Sequence, residues 1–224
     1  MNWLVTAIIT GITSFAATNM DDIVILTLFY AQVNATFGKR HIVAGQYLGF
    51  TAIIIASLPG FFGGLIVPKD WIGLLGLLPI AIGIKELVSR QDDADAEVQT
   101  ITTAFEQSSS SKTSVAILAS VMNPQTYRVA AVTVANGGDN IGIYVPLFAS
   151  SNLPSLGVIL SVFFLLVGGW CYVAYRLTRQ PAVAHVLTRY GRAFVPFVLI
   201  GLGIFILLDS GTYRLLLPQN QRAT

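Results

Sequence analysis

Acidic residues set in the middle of membrane-length apolar stretches constrain this chain more than any other feature. Asp21 and Asp22 stand in a run that is otherwise largely apolar from Trp3 to Val33, and Asp139 stands in another from Tyr127 to Ser151. A helix needs about 20 apolar residues to cross a bilayer, and an Asp at the centre of such a helix costs roughly 2.5 to 3.5 kcal/mol on insertion scales. Three such residues demand compensation by a cation, a proton or a polar cavity. The composition agrees with a bilayer as solvent: 54% of the 224 residues are hydrophobic and 11% are charged, and the mean hydropathy is +0.70, far from the balance of soluble domains.

Six apolar stretches can be marked off: Trp3 to Val33, Val43 to Val67, Trp71 to Val88, Tyr127 to Ser151, Leu156 to Leu177 and Phe194 to Leu217. The predicted fold is therefore an all-α membrane protein of six transmembrane helices. The first stretch lacks a basic leader and is too long for a signal-peptide core, so it is expected to stay as a span. Residues 89–125 change character, with Asp92, Asp93, Asp95, Glu97 and Glu106 and four serines from Ser108 to Ser111, and read as a solvated acidic, Ser-rich cytoplasmic linker. Asn123 and Pro124 close it, since a residue before proline disfavours helix. With the amino terminus outside, ten Lys and Arg residues fall on the cytoplasmic side (39, 40, 85, 90, 112, 128, 176, 179, 189 and 192) against Lys69, Arg214 and Arg222 outside. That asymmetry predicts extracytoplasmic termini. Lys85 and Arg128 read as snorkelling anchors, Glu86 and Asp209 as interface residues, and Trp3, Trp71 and Trp170 as interface belt and packing. His41 and His185 fall in predicted cytoplasmic loops. The single cysteine, Cys171, excludes an intrachain disulfide and a thiolate cluster, and a net charge of +2 gives no footing for nucleic acid.

The two acidic sites echo each other. Asp21-Asp22-Ile23-Val24-Ile25 aligns with Asp139-Asn140-Ile141-Gly142-Ile143, and Ile82-Gly83-Ile84 with Leu202-Gly203-Ile204, whereas the second and fifth spans match poorly. Two repeats of three spans, 1–88 and 126–224, must enter a membrane in opposite directions, which is the inverted-topology plan of many secondary transporters. At a rise of about 1.5 Å per residue, Asp21 and Asp139 each lie roughly 16 Å from the cytoplasmic end of their spans, at the midplane. Gly137 and Gly138 predict an interruption of the fourth helix that frees backbone carbonyls, weakened further by Pro146. The first span carries no such glycines and is expected to run unbroken, so the site is lopsided. Its candidate ligands are Asn19, Asp21, Asp22, Asn136, Asp139 and Asn140, with hydroxyls from Thr18 and Thr133. This oxygen-rich set suits a divalent cation of the size of Ca, Mn or Cd.

Thr18-Asn-Met-Asp-Asp-Ile23, Gly45-Gln-Tyr-Leu-Gly-Phe50 and Val134-Ala-Asn-Gly-Gly-Asp-Asn-Ile-Gly-Ile-Tyr-Val-Pro-Leu-Phe-Ala149 resemble the cadmium resistance transporters of the CadD type, a branch of the lysine exporter superfamily. The resemblance extends over essentially the whole chain, the linker least. It implies a six-helix exporter of divalent metal in a bacterial cytoplasmic (inner) membrane, with Asp21, Asp22, Asp139 and Asn140 at the site.

No Gly-x-x-x-x-Gly-Lys-Ser/Thr motif is present, so ATP is not the expected energy source. Metal-for-proton antiport is expected, with protons and metal competing for the same acids. The expected partners are the divalent ion, protons and the lipid bilayer, with homo-oligomerisation open and no resident cofactor. Export of manganese, calcium or a small amino acid competes within the same superfamily, although no basic residue is placed near the site to receive a substrate carboxylate. A metal sensor that transports nothing is a further alternative. An intramembrane aspartyl protease would need Gly-x-Gly-Asp where this chain has Asn136-Gly137-Gly138-Asp139, so no enzyme is expected.

Overall fold

The computed structural model describes residues 2–88 and 123–212, and for Asp70 and 181–192 the backbone alone. Most of the predicted linker, the short segment from 113 to 122 and the end of the sixth span at Leu217 lie outside the described residues, as do Arg90, Lys112, Arg214 and Arg222. Everything regular among the described residues is helical: α1 (Trp3–Thr18), α2 (Asp22–Ala31), α3 (Lys39–Ile66), α4 (Lys69–Ile72), a 3₁₀ turn (Gly73–Gly76), α5 (Leu77–Val88), α6 (Pro124–Asn136), α7 (Ile141–Ser150), α8 (Leu153–Leu177) and α9 (Pro181–Asp209). Of these, α3 and α8 are each long and apolar enough to cross a membrane, and α1 with α2 forms a third, bent candidate. The described residues form an all-helical integral membrane protein.

Starts and stops follow local chemistry. Asn123 takes a non-helical conformation and its side chain accepts the Gln125 N–H at 2.9 Å, with Pro124 opening α6. Asn152 does the same for α8 with the Ser155 N–H, ahead of Pro154. Both are N-caps in which proline sits where its missing N–H costs nothing. At the far end, α9 stops at Asp209 because Gly211 adopts φ 73°, the left-handed turn that closes many helices.

Four expectations need correction. The first span does not run unbroken from Trp3 to Val33: it breaks after Thr18 and resumes at Asp22 with a 63° bend. The third is three pieces rather than one helix, for Gly73 sits against Thr212 and Gly76 against the backbone of Gly203, while Pro79 withholds an N–H from the first turn of α5. The sixth starts at Pro181, well before Phe194, so the basic stretch through Arg189 and Arg192 is helical rather than loop. His41 lies in the first turn of α3 and is buried, its Nδ1 accepting the Gly38 N–H.

Glycines set the closest helix contacts. A Cβ on Gly45 or Gly49 would strike Val129 or Thr133 of α6, and one on Gly60 or Gly64 would strike the backbone of Val145 or Ala149 of α7. The partners advance together, so α3 runs parallel to α6 and α7 in turn and braces both sides of the gap between them, in the small-xxx-small manner of membrane helices. Correspondingly, α8 lies along α1 and α2: Gly11 meets Val162, Trp170 reaches Asn19, and Tyr30 meets Tyr175. The last helix of each half pairs with the other, α5 and the 3₁₀ turn lying on α9.

Beside a small apolar core of Ile23 and Leu177, two large ones result among the described residues. One gathers Phe15 of α1, Phe50 of α3, Tyr144 and Phe148 of α7 and Phe163 of α8. The other gathers Leu26 and Phe29 of α2, Ile42 of α3, Val129 of α6 and Cys171 of α8. Because α1 shares a core with α7, and α2 with α6, the two broken spans pass through the protein in opposite directions.

Candidate metal site

A helix break strands backbone donors and acceptors, and in apolar surroundings each must find a partner. At the first break the Asn19 carbonyl accepts Trp170 Nε1 at 2.7 Å. The Asn19 N–H and its side-chain Nδ2 both reach Phe15 O, each at 3.0 Å. Nδ2 also stands 3.0 Å from Tyr144 Oη, which lies 2.7 Å from Thr18 Oγ1. Since Thr18 Oγ1 donates to Ser14 O at 2.9 Å, the donors all point one way, Asn19 Nδ2 to Tyr144 Oη, Tyr144 to Thr18 Oγ1 and Thr18 to the Ser14 carbonyl. Residues of α7 and α8 thus hold open a break that contains no glycine. Trp170, read in sequence as belt or packing, is one of its supports.

The second break falls where the glycines predicted it. The Gly137 N–H returns to Thr133 O at 2.9 Å, and Asn140 and Gly142 bond back to Gly137 and Asp139. A Cβ on Gly137 would meet Ile53 Cδ1 at 2.6 Å, whereas Gly138 has only backbone oxygens beyond 3.4 Å. Asp22 opens α2 and Asn140 caps α7. Both half-helices therefore present their N-terminal, positive end to the acids.

Asn136 draws the two breaks together. Its Nδ2 donates to Asp22 Oδ1 at 2.9 Å and to Asp21 Oδ2 at 3.2 Å. Gln46 of α3 donates to Asp22 Oδ2 at 2.8 Å, and Thr133 donates to Gln46 Oε1 at 2.7 Å. Asp22, Gln46, Thr133 and Asn140 are all buried. Asp139 interacts electrostatically with both Asp21 and Asp22, and the amide of Asn140 stands beside Gly137. Of the six predicted ligands, Asp21, Asp22 and Asn136 are thus in direct contact, and Asp139 is coupled to them through charge. Asn19 instead turns its amide N–H toward Phe15, Thr18 and Tyr144. Among the described residues no three His, Cys, Asp or Glu side chains group closely enough to hold a metal by themselves, so a cation here would need the amides as ligands too.

Sequence reasoning missed Gln46, Tyr144 and Trp170. A signal for Gln46 existed: a lone amide between Gly45 and Gly49 in a membrane-length apolar run. Lys85 was placed as a distant anchor, yet its charge reaches Asp139. Ile82 of α5 faces Gly142 of α7, and Lys85 lies one turn further along α5.

No curated protein and no solved structure matches the chain. The family model described as cadmium resistance transporter matches residues 15–218, nearly the whole chain. Both helix breaks and every residue of the candidate site fall within that match, and the chain belongs to the cadmium resistance transporter family.

Proposed function

We propose that this protein exports a divalent, cadmium-like cation in exchange for protons, through a midplane site built from Asn19, Asp21, Asp22, Asn136, Asp139 and Asn140. The observation that carries the reading is Asn136, whose amide binds the two acids of the other broken span. Asp21 and Asp22 share the Asn136 amide, and Asp139 acts on both through its charge, an expensive arrangement in a membrane span unless a cation offsets it. Six spans in two inverted repeats are supported by the exchange of packing. The long helix of each half lies along the broken span of the other, and the broken spans run oppositely. The Gly76 contact with Gly203 and the Gly83 contact with Pro196 also map onto each other under the alignment of Gly83 with Gly203.

Protons and a dication compete for such acids, because burial penalises the charged carboxylate and a bound dication favours it. Binding metal from one side then releases protons, and protons arriving from the other side release metal. Movement around the site gives alternating access. The Lys and Arg asymmetry supports extracytoplasmic termini in a bacterial inner membrane. Replacing Asp139 by Asn should reduce cadmium flux in everted vesicles well beyond the roughly 10- to 100-fold that loss of a supporting residue costs. Undiminished flux from an inserted Asp139→Asn protein would sink the proposal.

The reach of Lys85 to Asp139 favours one second reading, export of a small amino acid, whose carboxylate needs a cation and whose amine needs an acid. The same vesicles decide between them: labelled amino acid accumulating without metal flux selects the second.

A further inference from the structure

We propose that Gln46 and Thr133 form a positioning pair for Asp22: Thr133 turns the Gln46 amide so that its N–H, rather than its carbonyl, meets the carboxylate. This rests on the metal-export reading and assigns the pair a part in it. The hydroxyl of Thr133 has one proton and two acceptors in reach, Gln46 Oε1 at 2.7 Å and Val129 O at 3.0 Å. With Oε1 held by Thr133, Gln46 Nε2 is aimed at Asp22 Oδ2 at 2.8 Å. The reversed amide would set a carbonyl oxygen against the carboxylate and leave the Thr133 proton to Val129 O alone. Asn136 takes the other oxygen, Oδ1, so both carboxylate oxygens are fixed and the plane of Asp22 is set before an ion arrives.

The fold explains why an amide can act here. A Cβ at Gly49 would lie 2.6 Å from Thr133 Cβ, so α3 and α6 touch backbone to side chain, and Gln46, one turn earlier, lies along α6 within reach of both Thr133 and α2. Gln46 and Thr133 are 4% and 3% exposed, so the pair is shielded from bulk solvent. The pair spans both halves of the sequence. Thr133 Oγ1 and Gln46 Oε1 are thereby committed to each other.

The test is the pH dependence of cadmium-ion flux into everted vesicles, with thermal unfolding of the metal-free protein in detergent as a second readout. In the wild type KM falls as pH rises, since protons leave the acids. In Gln46→Glu a protonated carboxyl donates its O–H to Asp22 and accepts from Thr133, so KM at low pH stays near the wild-type value. Once that carboxyl ionises it opposes Asp22, and KM climbs to about tenfold or more above wild type, the loss expected for a hydrogen bond to a charged group. The metal-free melting temperature of Gln46→Glu drops over the same pH interval further than that of the wild type. Thr133→Val raises KM several-fold with kcat less affected, and Thr133→Ser restores it. A KM for Gln46→Glu that falls with pH more steeply than wild type would make residue 46 a direct ligand and overturn the proposal. Identical pH behaviour of the two proteins in flux and melting would overturn it too. If the wild type moves no cadmium ion, the export reading falls, and the melting comparison decides the Gln46–Asp22 contact by itself.

Discussion

The two helix breaks do the same job by different means. The second is written locally: Gly137 and Gly138 interrupt α6, and the turn closes on its own backbone bonds. The first contains Asn19, Met20 and Asp21, none of them a helix breaker; its stranded Asn19 carbonyl is bound by Trp170 and its Thr18 and Asn19 side chains by Tyr144, both from the far half of the chain. A break can thus be imposed by tertiary contacts as well as encoded by glycine. The imposed break is the one that carries two adjacent acids, where a flexible backbone would spread the charges.

Three substitutions sharpen this contrast. Trp170→Phe keeps the ring contact with Phe15 but leaves the buried Asn19 carbonyl without its donor, and should cost about 1–3 kcal/mol, read by denaturant unfolding in detergent. No loss of stability would mean that the first break does not depend on α8. Tyr144→Phe should cost less, about 1 kcal/mol, because Thr18 keeps Ser14 O and Asn19 keeps Phe15 O as acceptors. A cost matching that of Trp170→Phe would show the hydroxyl chain to be cooperative. Gly138→Ala should change stability by no more than about 0.5 kcal/mol, since a Cβ there touches only oxygens at 3.5 Å or beyond and no positive φ is involved. A large loss would move the second break into the class of the first.

The all-helical membrane fold, the acidic pair of motifs and the second break were legible because each is carried by composition, repetition or a local breaker. The first break was not, because its cause lies at Trp170, whose indole looks like any other aromatic in an apolar span. Gln46 stayed hidden for a related reason: its partners Asp22 and Thr133 come from two other helices. The start of α9 was legible in part. Pro181 is a helix-opening residue in the right place, but the basic residues that follow it look like a loop in a membrane-topology argument. Lys85 shows the same limit, since charge near a span end indicates depth and says nothing of the neighbour across the helix pair.

One feature of the glycine seam on α3 reaches further. Gly45 and Gly49 bind that helix to one side of the second break and Gly60 and Gly64 to the other, so α3 packs on both α6 and α7 although α4, α5 and residues 89–123 lie between them in sequence. On the opposite flank α8 grips α1 and α2 through Gly11 and Trp170. Each flank of the acidic centre is therefore built from helices of both halves of the sequence. The acidic centre lies where these two composite flanks meet, at the bonds from Asn136 to Asp21 and Asp22.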